Sequence, residues 1–155
     1  MKLYLMQHAD AVAEEINPDR PLSGAGRRDV ERLAALLRQA PFRPELILHS
    51  GKTRARQSAE LLAQGTRPGV CVEAAAGLKP SDPVQPLADQ AGRWTEDTLL
   101  VGHQPFMGRL VALLLGGEGR AMVALQPGSL VCLERQPDGG WLLQWMIRPD
   151  LLGGR

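Results

Sequence analysis

Four short apolar runs constrain this chain more than any other feature: "KLYLMQ" at 2–7, "ELILHS" at 45–50, "VCVEA" at 70–74 and "TLLVGH" at 98–103. Each is long enough for a buried strand and too short for a helix. The segments between them carry the helix period. From Ser23, a candidate N-cap, to about Ala40, the residues Val30, Leu33, Ala34 and Leu37 recur at i, i+3, i+4 and i+7. Pro41 and Pro44 end that helix. "KTRARQSAELLAQ" returns to helix spacing and is expected to stop near Gly65. "GLKPSDPVQPLADQAGRW" is rich in Pro, Gly and Asp and reads as a loop holding one short helix. Pro105 stands where a first helical residue belongs, ahead of "FMGRLVALLL". The tail splits at Asp138-Gly139-Gly140, with an apolar run on each side, which predicts a β-hairpin. Strands alternating with helices predict a three-layer α/β/α sandwich with a mostly parallel central sheet, and the hairpin makes the sheet mixed.

Composition narrows the functional classes. The 155 residues suit a single domain over 1–155, large enough for a real hydrophobic core. A formal charge of +1 provides no overall field toward nucleic acid or membrane. The few aromatic residues form no stacking series for single strands. No apolar run reaches the length of a membrane span, and the opening "MKLYLM" is too short for a signal peptide. Cys71 and Cys132 stand far apart, outside any metal-binding spacing, so no metal or other cofactor is expected. Both lie in apolar runs and read as small buried hydrophobes. A reduced, cytoplasmic setting follows from that reading.

In an open α/β sheet, ligands bind beyond the carboxyl ends of the strands. His8 ends the first strand and His103 the fourth. Ser50, Lys52, Arg54 and Arg56 follow the second strand into the first turn of its helix. A helix start on that rim also presents free N–H groups and the positive end of a dipole. Singly, each residue has an ordinary structural reading: a hydrogen-bonded histidine at a strand end, or a solvated arginine on a helix. Together they favour an anion site, and a phosphate suits it. His49 lies one residue too early for the rim and reads as structural, while Lys52 and Arg56 read as field-setting or solvated. No carboxylates stand at metal-ligand spacing, no G-x-S-x-G elbow occurs and no P-loop occurs.

The motifs "LYLMQHADA", "DRPLSGAGRRDV", "LILHSGKTRARQSAELL" and "TLLVGHQPFMGRLVALLL" resemble, in order, four segments of the histidine phosphatase superfamily, in its small SixA-type branch with the phosphoglycerate mutase-like fold. The resemblance implies phosphoryl transfer through a covalent phosphohistidine on His8. It assigns phosphate contacts to Arg54 and His103, with His103 a further donor if protonated, and makes Arg20 a phosphate contact or an anchor of its loop. The implied substrate is a phosphorylated protein, such as a phosphohistidine domain, or a small phosphorylated molecule. Asp82 in "KPSDP" is a candidate acid whose ordinary role is turn chemistry. The chain departs from the family at its first motif: Arg-His-Gly is here Gln7-His8-Ala9. Gln7 keeps an amide donor but loses the charged fork. Ala9 resists a left-handed backbone that glycine would accept. Three readings stay open: a phosphohistidine phosphatase, a phosphate- or phosphoprotein-binding module with weak or no turnover, and a small-metabolite phosphomonoesterase.

Overall fold

A computed structural model describes residues 1–117 and 120–153. Six strands form one sheet in the order β3-β2-β4-β1-β5-β6. The strands β1 (Lys2–Gln7), β2 (Leu46–His49), β3 (Cys71–Ala74) and β4 (Thr98–Gly102) are parallel. The terminal hairpin of β5 (Leu130–Arg135) and β6 (Trp141–Ile147) joins antiparallel along β1. The fold is therefore the mixed, mostly parallel α/β architecture that the alternating pattern predicts.

The pleat divides the core into two layers. Tyr4 and Met6 of β1, Ile47 of β2, Leu99 and Val101 of β4, and Leu130 and Cys132 of β5 face one side. There they meet helices α1 (Gly24–Leu37) and α2 (Thr53–Thr66) through Val30, Leu33, Leu37, Ala55, Ala59 and Leu62. Leu3, Leu5, Leu48, Leu100, Val131 and Leu133 face the other side. They are covered by α3 (Gln85–Ala91) and α4 (Phe106–Leu114) through Leu87, Phe106, Met107, Leu110 and Val111. Covered on both faces, β1 and β4 are apolar through their middles, Leu3–Met6 and Leu99–Val101, which is why they read as continuous runs instead of alternating ones.

Two local expectations, at Pro105 and Cys71, need correction, while α2 ends at Thr66, beside Gly65, as expected. A Cβ at Gly65 would lie 2.5 Å from the Ala34 methyl, so this glycine permits the close approach of α1 to α2. Pro105 is the N-cap of α4, not its first helical residue, and follows a cis peptide bond. Cys71 is exposed, because β3 is an edge strand whose residues are largely uncovered; Cys132 is fully buried, as expected. Ser23 is the N-cap of α1, with its hydroxyl accepting from the Gly26 N–H at 3.0 Å.

Candidate active site

The strand order brings the site together. The carboxyl ends of β2, β4 and β1 are neighbours, so Ser50, His103 and His8 come to one rim from three separate junctions. The His8 and His103 rings lie 4.9 Å apart between centroids. Arg54, in the first turn of α2, reaches His8 with its Nε at 3.2 Å from His8 Nε2.

The hydrogen bonds of His8 settle its tautomer. Nδ1 lies 2.8 Å from the carbonyl oxygen of Ala9, which can only accept, so Nδ1 carries the hydrogen. Nε2 faces the Arg54 Nε–H, which can only donate, so Nε2 holds the lone pair. Burial is the main reason the His8 pKa falls from 6.5 to about 4; the Arg54 and Arg20 charges lower it further, while the Ala9 carbonyl and Asp10 act against them. Near pH 7 His8 is a neutral imidazole with a lone pair aimed at a guanidinium.

His103 is 1% exposed, and its Nε2 lies 2.6 Å from Ser50 Oγ. Burial again dominates and, with the charges of His8, Arg54, Lys52 and Arg20, lowers its pKa to about 3. His103 in the free protein is therefore neutral near pH 7. Its Nδ1 is buried without a partner among the described residues.

The remaining candidates divide. Gln7 ends β1 opposite Gly102, is 8% exposed, and leaves its Oε1 buried without a partner among the described residues. The loop before β5 pins its backbone: Gln7 N–H donates to Ser129 O, and Gly128 N–H to the carbonyls of Gln7 and His8. Arg20 sits in the β1–α1 loop at φ 47°, its Nε–H donating to Val12 O at 3.2 Å. It anchors that loop, and its charge reaches His8, Arg54 and His103. Lys52 sets field at His103, whereas Arg56 acts on His49. His49 is structural: its Nδ1 accepts from the Gly51 N–H at 3.1 Å. Asp82 caps its own turn, accepting from the Lys79 N–H at 2.8 Å. The start of α4 is occupied internally, with Met107 N–H on His103 O and Gly108 N–H on Gln104 Oε1, so it does not present those groups to a ligand. The α2 start has no side-chain cap.

Ala9 is in ordinary backbone geometry, since Arg20 is the non-glycine residue with positive φ among those described. Its methyl joins the α1/α2 side of the core. Sequence reasoning missed Ser58, whose Oγ accepts from the Ala9 N–H at 3.0 Å and donates to Arg54 O at 2.8 Å. It also missed Gln57, whose Oε1 accepts from the Leu22 N–H. The signal was present: Arg54, Gln57 and Ser58 stand at i, i+3 and i+4, one face of α2 turned to the β1–α1 segment.

Two imidazoles and a guanidinium thus meet on one rim of the sheet, at the carboxyl ends of its parallel strands. The family described as the histidine phosphatase superfamily (branch 1) matches residues 3–82. An uncharacterized protein of Picosynechococcus sp. strain PCC 7002 is 31% identical over 144 residues, covering 86% of this chain and 85% of that one. The chain belongs to the histidine phosphatase superfamily, and its class is that of a phosphatase. In fold it is similar to the protein histidine phosphatase SixA solved with tungstate, at TM-score 0.89 and 23% identity over 99% of this chain and 100% of that chain. The alpha-ribazole phosphatase from Shigella flexneri matches at TM-score 0.74 and 16% identity, over 96% and 97% of the two chains. Among the described residues, no helix is long and apolar enough to cross a membrane.

Proposed function

We propose that this protein is a phosphohistidine phosphatase that works through a covalent phosphohistidine on His8. The observation that carries the reading is the fixed tautomer of His8, with its lone pair on Nε2 facing Arg54. His8 Nε2 attacks phosphorus in line; the P–N bond to His8 forms as the bond to the leaving group breaks. The Arg54 guanidinium turns from Nε2 to two phosphoryl oxygens, a fork that only arginine provides. The neutral His103 donates a ring N–H to the same group, and the arriving negative charge favours its protonation. Water then attacks phosphorus, breaks the P–N bond and frees inorganic phosphate, with the proton passing to the site imidazoles.

Phosphohistidine fits this site because its leaving group is an imidazole. Once its other nitrogen has taken a proton from water, which a ring of this basicity does near neutral pH, it departs as neutral imidazole and needs no acid from the protein. Among the described residues, no carboxylate hydrogen-bonds either site histidine. A phosphorylated protein domain is the substrate form we favour, with a small phosphorylated molecule as the alternative that the alpha-ribazole phosphatase likeness supports. Gln7 favours a further reading, a phosphate-binding module with weak turnover, since a neutral amide stands where the family has a charge.

The test is to incubate the protein with a phosphohistidine-bearing domain and with a generic phosphate ester. The expected result is phosphate release from the domain and an acid-labile, alkali-stable phosphoenzyme that is absent in His8→Ala. Tight tungstate binding with no release from either substrate would replace the enzyme with the binding module. Faster release from the ester would move the reading to a small-molecule phosphatase.

A further inference from the structure

We infer that Ser58 is the residue that holds His8 in its nucleophilic tautomer, acting through the backbone of Ala9. The inference rests on the reading of His8 as the nucleophile. The Ala9 carbonyl selects the tautomer, because it takes the Nδ1–H and leaves Nε2 free. The direction of that carbonyl is set by the backbone angles of Ala9, so whatever holds Ala9 orients His8. The N–H of Ala9 donates to Ser58 Oγ at 3.0 Å. The Ser58 hydroxyl hydrogen goes to Arg54 O at 2.8 Å, one turn back in α2. One hydroxyl thus spends its donor and an acceptor position on the two segments that must meet, the nucleophile loop and the phosphate arm. Ser58 and Ala9 are both 0% exposed, so no water replaces the contact.

The next residue is held from the other side. Asp10 O accepts from the Ser23 N–H at 3.0 Å, and Ser23 Oγ donates to Asp10 Oδ2 at 2.6 Å. A Cβ on Gly26 would lie 2.1 Å from Asp10 O, so the start of α1 packs directly on this backbone. Ala9 is fixed between α2 at its N–H and α1 just beyond its carbonyl. This accounts for the alanine: the clamp holds Ala9 in ordinary backbone space, where glycine's freedom brings no advantage.

The tautomer can be read directly on the free protein by long-range proton–nitrogen NMR of labelled histidine. In the wild type, His8 is expected to show Nδ1–H and an unprotonated Nε2. Ser58→Ala is expected to give a mixed or reversed pattern and at least tenfold slower phosphoenzyme formation, while Ser58→Thr, which keeps the hydroxyl, restores both. Ser58→Cys preserves bulk with weak hydrogen bonding and is expected to follow Ser58→Ala, so it decides the matter if the alanine variant fails to fold. A purely structural serine would lower the melting temperature and leave the tautomer alone. A single Nδ1–H form in folded Ser58→Ala or Ser58→Cys overturns the inference. Because the NMR readout needs no substrate, a wild type that releases no phosphate would defeat the functional reading without touching this one.

Discussion

The two ends of the sheet differ in what they concentrate. At the amino end, Leu46, Arg93, Trp94, Thr95, Glu96 and Thr98 line a hollow of about 210 Å³. Its polar side chains are spent locally, the Thr98 hydroxyl donating to Glu96 O at 3.0 Å. At the carboxyl end, two histidines are held neutral by burial and by the nearby arginines, and two buried polar atoms, Gln7 Oε1 and His103 Nδ1, lack partners among the described residues. Concavity marks one end and unspent chemistry marks the other. A buried polar atom without a partner is expensive, so such atoms accumulate where the chain's own groups do not complete the set.

The sharpest way to break this comparison is His8→Ala. It is expected to abolish the phosphoenzyme and with it all turnover, read by acid-labile label. Arg54→Ala follows, with phosphoenzyme formation slowed roughly 10²–10³-fold, the usual effect of losing a donor to developing charge. A rate within threefold of wild type would remove Arg54 from the reaction. Gln7→Arg works in the opposite direction. Restoring a charge-assisted contact worth roughly 1.5–3 kcal/mol should raise the rate about ten- to a hundredfold. An unchanged rate would mean that Gln7 does not weaken the site.

Acid provides a subtler test of the same contrast. His8 should titrate near pH 4, not near 6.5, when followed by its ring resonances. In the unfolded chain His8 protonates below about pH 6.5, whereas in the folded chain it resists until near pH 4. Between those values the unfolded state binds more protons, so stability falls as pH falls, by ~3 kcal/mol for His8 alone. Denaturant titrations at pH 7 and pH 4.5 should therefore separate in wild type and separate less in His8→Gln. The smallest effect belongs to the amino end: Trp94→Ala should leave the rate of phosphate release within twofold, and a tenfold loss there would dissolve the distinction between the two rims.

Much of this was legible in the chain. The strand runs were readable because β1 and β4 are covered on both faces and so admit no polar alternation. His8, Arg54 and His103 were readable because each stands directly after a strand or in the helix turn behind it, where topology alone places it on the rim. Cys71 was misread because an apolar run in an edge strand looks the same as one in the centre. The second role of Gly65, admitting α1 against α2, went unread because a glycine near a helix end looks the same until the neighbouring helix is placed. Ser58 was missed because its value lies in a contact 49 positions away in sequence.

The sequence by itself determined the alternation of elements, the two imidazoles and the guanidinium, and the departure at Gln7 and Ala9, because these are properties of residue order and type. Only the tertiary structure decided which nitrogen of His8 is free, that both histidines are neutral at pH 7, and that Ala9 is held in ordinary backbone space. Tautomer and pKa depend on burial and on partners brought from other strands and helices. Those partners meet only when β2, β4 and β1 lie side by side with α1 and α2 closing over the end of β1.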